Sequence, residues 1–163
     1  MKNIVVSASR TYDVLIGQGI LNDAGALIRE RISSGTAVLV TDDNVNALYG
    51  DKVENSLKNA GITVHRFVFP SGEHSKCLEV YGRLLNFMAD AGLTRSDALV
   101  ALGGGVAGDL GGFAAATYMR GIKLIQIPTT LIAMTDSSVG GKTAIDLPGG
   151  KNLCGSFYQP HLV

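Results

Sequence analysis

The chain has no tryptophan, only 6% aromatic residues, and no excess of either charge, with 14 lysines and arginines against 14 aspartates and glutamates. Balanced charge removes any global pull toward nucleic acid or an anionic membrane surface. No apolar run approaches the roughly 20 residues of a membrane span. The N-terminal MKNIVVSASRTYDV has only a three-residue apolar run before Ser7, too short for a signal-peptide core. Cysteine is scarce as well. Cys77 and Cys154 stand alone with no CxxC, which argues against a disulfide framework and for buried, reduced thiols in a cytoplasmic protein. His65, His74 and His161 are scattered without an HExxH, so no metal site shows within the chain.

What is there points one way. The 163 residues are 46% hydrophobic and include 21 glycines, the profile of a single soluble α/β domain with many tight turns. An N-terminal strand pair is expected around 3–8 and 11–17, followed by a helix DAGALIRERI capped by Asn22 or Asp23. Apolar runs and helical stretches then alternate. TAVLVTDD, ITVHRFVFP, DALVALGGG and KLIQIPTT read as strands. Between them NVNALYGDKVENSLKNAG, SKCLEVYGRLLNFMADAG and GDLGGFAAATYMRG read as helices, the first two closed by Gly61 and Gly92. That alternation predicts an α/β fold with a mostly parallel sheet, right-handed crossovers and flanking helices. There is no repeat or linker, so 1–163 is taken as one domain. Leu162 and Val163 look like the opening of another strand, as in a domain belonging to a longer chain.

In an open parallel sheet, ligands bind outside the carboxyl ends of the strands. Four polar or glycine-rich turns fall there: TDDN (41–44), SGEHSK (71–76), GGGVAGD (103–109) and PTT (128–130). GGGVAG satisfies GxGxxG between a strand and a helix, the context that confirms a dinucleotide fingerprint. Gly103, Gly104 and Gly105 would let backbone N–H groups approach a pyrophosphate at a helix N-terminus. Tight helix–sheet packing is the other reading of the same glycines. The acid expected about 20 residues downstream is missing, but Asp42 ends an earlier strand and could take the adenosine ribose. Asp109 is either a helix-dipole acid or a group that orients a cofactor or sugar hydroxyl. SGEHSK alone is equally a solvated surface turn.

DSSVGGKT at 136–143 is one residue from a nucleotide-triphosphate loop, with Asp136 where GxxxxGK[ST] requires glycine. Such a loop also needs an apolar strand before it and a helix after it. TTLIAMTD is a poor strand, and TAIDLPGGKN must turn at Pro148-Gly149-Gly150. The stretch therefore reads as a polar hairpin that brings Lys142 near Lys151 and Asn152. It is either an anion site of compact charges or a set of solvated loop lysines.

LGGGVAGDLGGFAAATYMRGI, then IQIPTTLIAMTDSSVGGKTAIDLPGGKN and SFYQP, with SGEHSK upstream, resembles the 3-dehydroquinate synthase family of sugar-phosphate cyclases. The resemblance covers essentially the whole chain. It implies an NAD-dependent, phosphate-eliminating, carbocycle-forming lyase of the shikimate pathway, whose N-terminal half is a Rossmann-like domain and whose helical second half is absent from this chain. It further implies NAD contacts at Asp42, Ser71, Gly72, Glu73, His74, Ser75, Lys76, Gly105, Val106, Ala107, Gly108, Asp109, Thr129, Thr130, Lys142 and Lys151. Arg120, Asp136, Lys142 and Asn152 match substrate-holding positions, Arg120 reaching the phosphate in a neighbouring subunit of a homodimer. The implied zinc or cobalt would be held by a glutamate and two histidines outside this chain. Asp146 stands where the family pattern suggests asparagine, a variation taken as tolerated. In the implied reaction NAD oxidises a ring hydroxyl of a heptulosonate 7-phosphate, phosphate is eliminated, the ketone is reduced again, and an intramolecular aldol step closes the carbocycle. A metal-dependent polyol dehydrogenase shares this general architecture but gives no reason for the lysines of the hairpin. Another cyclase, or a nucleotide-binding module without activity, are the remaining readings.

Overall fold

A computed structural model describes residues 1–33 and 35–163. Its centre is a four-stranded parallel sheet in the order β4-β3-β5-β6, formed by β3 (Thr36–Asp42), β4 (Thr63–Phe69), β5 (Ala98–Gly103) and β6 (Lys123–Pro128). All six residues of β5 are buried, which is why its sequence runs apolar without alternation. β3 pairs with β4 on one side and β5 on the other, so the order reverses at β3 and a crevice opens where β3 and β5 end.

The two faces are covered by different helices. On one, α4 (Leu78–Asp90) and α5 (Gly105–Thr117) bring Val80, Leu84, Met88, Leu110 and Phe113 against Val38, Val40, Leu99 and Leu124. On the other, α1 (Ala24–Arg31) and α3 (Asp51–Asn59) set Ile28, Val53 and Leu57 on Leu39, Val100, Leu102 and Ile125. Each such fully buried aliphatic side chain contributes about 1.5–3 kcal/mol.

β1 (Lys2–Ser7) and β2 (Thr11–Ile16) form the expected antiparallel pair. The end of the chain joins them to the main sheet. Leu162 bridges Asp13 on β2 and Ile125 on β6, with Gln126 N–H donating to Leu162 O at 3.0 Å and Val163 N–H to Asp13 O at 2.9 Å. β7 (Lys142–Leu147) and β8 (Gly150–Phe157) make a second antiparallel pair packed on α5. The hairpin read from the sequence is therefore present, with its turn at 148–149.

Several local expectations are corrected. The helix expected over 44–61 starts at α2 (Asp43–Val45) and passes through a π turn (Asn46–Gly50) before α3. Neither Asn22 nor Asp23 caps α1 with its side chain. The Gly25 N–H donates instead to the Ser56 hydroxyl of α3 at 3.0 Å, and that hydroxyl donates to Asn22 O at 2.8 Å. Gly25 is the point of closest approach, because a Cβ there would run into the Ser56 backbone. TTLIAMTD is helical over 131–137 rather than a poor strand, since the Thr130 hydroxyl accepts the Ala133 N–H at 3.2 Å and starts a turn. Cys77 and Cys154 are free thiols but only partly buried against the core.

His161 is tied to β6: its N–H donates to Leu124 O at 2.7 Å and its Nδ1 accepts the Leu124 N–H at 3.1 Å. Burial, helped by the charges of Arg10 and Lys123, pushes its pKa down to about 4. The folded state thus refuses a proton that the unfolded chain takes near pH 6.5, so stability is complete above that pH and falls as pH drops toward 4. His161→Asn keeps an acceptor for Leu124 and cannot titrate. Its melting temperature is expected to fall less than that of the parent chain between pH 6.5 and 4.5, and identical slopes in a calorimetric pH series would refute this.

Candidate functional site

The four strand-end turns do converge, and each is held by its own hydrogen bonds. At the end of β3 the Asp42 carboxylate accepts the Val45 N–H at 3.0 Å through Oδ1, capping α2. Its Oδ2 faces Gly103 at the end of β5, 3.4 Å from where a Cβ would stand. Asp43 was not singled out from the sequence, yet it accepts the Ser71 N–H at 3.0 Å and so ties the turn after β4 to the end of β3. Hydrogen bonds from the Ser71 hydroxyl and amide hold its carboxyl below the ordinary range. The only signal for this was its place in TDDN at a strand end.

In the 71–76 turn Gly72 sits at φ +113°, a conformation that favours glycine, and a 3₁₀ turn over Glu73–Ser75 follows. Ser75 is 1% exposed, and its hydroxyl donates to Pro70 O at 2.5 Å, so it closes the turn from inside. Lys76 is 4% exposed. Its ammonium donates to Asp109 Oδ2 at 2.6 Å and to Asn152 Oδ1 at 2.5 Å. Burial pushes the Asp109 carboxyl up, against the pull of Lys76. Glu73 and Lys151 meet at 3.3 Å on the surface, where such a pair is worth about 0–1 kcal/mol.

α5 starts at Gly105 with no side-chain cap. Its first amides point at the crevice, where the helix dipole favours an anion. Gly104 lies against Thr130, and a Cβ on Gly105 would come within 3.4 Å of the Ser137 hydroxyl. Val106 is half-buried, whereas Ala107 and Gly108 face the sheet. The Gly108 carbonyl accepts the Gln126 amide at 3.1 Å, so this glycine leaves room for a side chain rather than for a ligand. Thr129 N–H donates to Gly103 O at 2.9 Å, while its hydroxyl is buried with no protein partner. An orphaned hydroxyl beside an uncapped helix start is what a nucleotide cofactor would complete.

Beside this crevice is a cleft of about 510 Å³ bounded by Asp109, Asp136, Lys142, Asn152 and Ser156. Lys142 Nζ donates to Asp136 Oδ1 at 2.9 Å, and that hydrogen bond raises the Lys142 pKa above its ordinary value. A lysine, an amide and two carboxylates here suit a ligand with both phosphate and hydroxyl groups. The structure does not bring Arg120 to this cleft. It lies past the far end of the 13-residue α5, roughly 20 Å of helix away, at φ +66° after Met119 at φ +49°. His65 lies in β4 and His74 in the 71–76 turn, and among the described residues no three metal-ligating side chains gather.

A reversed strand order with an uncapped helix start at the switch point defines a Rossmann-like α/β domain. Comparison narrows the class. The family model 3-dehydroquinate synthase N-terminal matches residues 66–163, and the chain belongs to that family. The 3-dehydroquinate synthase of Clostridium acetobutylicum is 52% identical over 153 residues, covering 94% of this chain and 43% of that protein. Among solved structures, 2-deoxy-scyllo-inosose synthase complexed with carbaglucose-6-phosphate, NAD+ and Co2+ superposes with a TM-score of 0.91 at 30% identity, over 99% of this chain and 45% of that one. A 2-epi-5-epi-valiolone synthase from Streptomyces hygroscopicus subsp. jinggangensis, with NAD+ and Zn2+ bound, gives 0.83 at 29%, over 98% and 44%. The chain spans less than half the length of the curated relatives it matches, 43% and 47% in two of them.

Lys76→Met tests whether the ammonium holds the site together. Removing one partner of a buried pair costs about 3–5 kcal/mol. The loss in unfolding free energy is expected to be largest at pH 7 and to shrink toward pH 5, because Asp109, already pushed up, can then take a proton. A pH-independent loss in denaturant titrations would count against this.

Proposed function

We propose that this chain is the cofactor-binding part of a cytoplasmic, homodimeric 3-dehydroquinate synthase, which converts 3-deoxy-arabino-heptulosonate 7-phosphate to 3-dehydroquinate with release of phosphate. The observation that carries the reading is the adjacency of two unlike sites. An uncapped glycine helix start with an orphaned Thr129 hydroxyl lies next to a cleft holding Lys142, Asp136 and Asn152. A polyol dehydrogenase has no use for the second.

The residues present fit NAD. Gly104 and Gly105 put no side chain of their own before the first amides of α5, where a pyrophosphate would lie, whereas Gly103 is needed because a Cβ there would meet Ala107. Asp42 is placed to take a ribose hydroxyl, and Thr129 and Thr130 offer hydroxyls at the end of β6. When bound, NAD supplies a reversible hydride acceptor. The chain's own side chains do the holding. Lys142 presents a point charge to the substrate phosphate, aimed by Asp136, and Asn152 donates from its amide while its oxygen rests on Lys76. Asp109, beside Lys76, is placed to accept from a substrate hydroxyl. Arg120, remote within its own chain, would serve the neighbouring subunit. The residues present do not fit a zinc or cobalt ion, whose ligands would lie outside this chain, so no step is assigned to one.

NAD titrated calorimetrically into the chain should bind, and Gly105→Val should abolish binding by filling the approach to the α5 amides. Absence of heat at millimolar NAD would sink the cofactor assignment. The purified 163-residue chain should release no phosphate from the heptulosonate phosphate even with NAD and added zinc or cobalt. A Lewis acid contributes several kcal/mol to such chemistry, so clear turnover would place the whole active site within these residues.

A further inference from the structure

The β7–β8 hairpin slips register at one place. Ile145 faces Cys154 and Leu147 faces Gly150, so Asp146 alone stands opposite Lys151, Asn152 and Leu153. Such a bulge bends the strand that carries the extra residues and re-aims their side chains. Within it Asn152 adopts φ +58°, the left-handed region that asparagine tolerates better than most residues. Asp146 holds it there. Its Oδ1 accepts the Asn152 N–H at 2.7 Å, and its own N–H donates to the Lys76 carbonyl at 2.8 Å. One residue therefore grips the backbone on both sides of the Lys76–Asn152 contact, itself 2.5 Å long. Asn152 lines the cleft; Asp146 does not.

We infer that Asp146 is a positioning residue of this site: its carboxylate fixes the bulge that carries Asn152 to Lys76 and into the cleft, without touching the ligand. The Pro148–Gly150 turn would close a hairpin equally well without a bulge, so the turn does not account for the aim of Asn152. What the position requires is a short side chain with an acceptor oxygen. Asp146→Asn should therefore preserve the arrangement and Asp146→Ala should release it. The catalytic consequence rests on the synthase reading above; the structural one does not.

Two measurements separate them. In the 163-residue chain, NMR-detected exchange of the Asn152 backbone amide should be protected in the parent and in Asp146→Asn. In Asp146→Ala it should speed up at least tenfold, while amides of β3 and β5 keep their protection. Should the alanine variant fail to fold, Asp146→Ser takes its place and should give intermediate exchange. Protection kept within twofold in Asp146→Ala, or lost equally in Asp146→Asn, overturns the inference. In the complete enzyme, Asp146→Ala should lower kcat at least tenfold with KM for NAD within twofold, and Asp146→Asn should stay within threefold of the parent. An unchanged kcat in Asp146→Ala overturns the positioning role. A parent enzyme with no phosphate release speaks against the synthase reading alone, and amide exchange then still decides the role of Asp146.

Discussion

The ammonium of Lys76 is the interaction on which the site depends. An unpaired charge at 4% exposure would cost several kcal/mol, so its partners must be delivered by the fold. They come from separate elements: Asp109 from the first turns of α5 and Asn152 from the bulge in β8. The turn after β4, the helix after β5 and the C-terminal hairpin are thereby locked together at one atom. Lys76 belongs to the turn after β4 and its two partners line the neighbouring cleft, so the crevice and the cleft share a wall that neither can move alone.

The site divides its work between backbone and side chain. Around the start of α5 the free polar groups are amides, and Gly104 and Gly105 add no side chain of their own beside Thr130 and Ser137. In the cleft the polar groups are side-chain tips, each held by a second residue: the Lys142 ammonium by the Asp136 carboxylate, and the Asn152 amide through its backbone N–H on Asp146. Supporting hydrogen bonds of this kind hold a polar group in one geometry, so that less side-chain entropy is lost when it meets a ligand.

The parallel order and the strand-end turns were legible because they are local. Fully buried strands run apolar, helices close on glycine, and GGGVAG announces a strand-to-helix turn wherever it occurs. The corrections share a different cause. α1 draws its cap from Ser56, 31 residues from the Gly25 amide it serves. Asp43 serves an amide 28 positions away, and Lys76 reaches 76 positions to Asn152. No periodicity encodes a choice of distant partner. Resemblance to a family marked Ser75, Lys76, Ala107 and Gly108 as part of the site. The fold adds that Ser75, Ala107 and Gly108 are buried, with Ser75 closing its turn on Pro70 and Gly108 making room for Gln126. Asp146, a mere variation in sequence, turns out to sit opposite three residues at a register slip.

The place of Leu162 sets an order of events for assembly. β1 and β2 leave the ribosome before the other elements of this domain, yet their hydrogen bonds to the main sheet run through residues 161–163, the strip between β2 and β6. The first sixteen residues must therefore wait, as an isolated hairpin of marginal stability, until nearly 150 more have been made. At about 5–20 residues per second that interval is roughly seven to thirty seconds. During it the edge of β2 at Asp13 and Leu15, which residues 162 and 163 cover in the finished fold, stands open to any other unpaired strand.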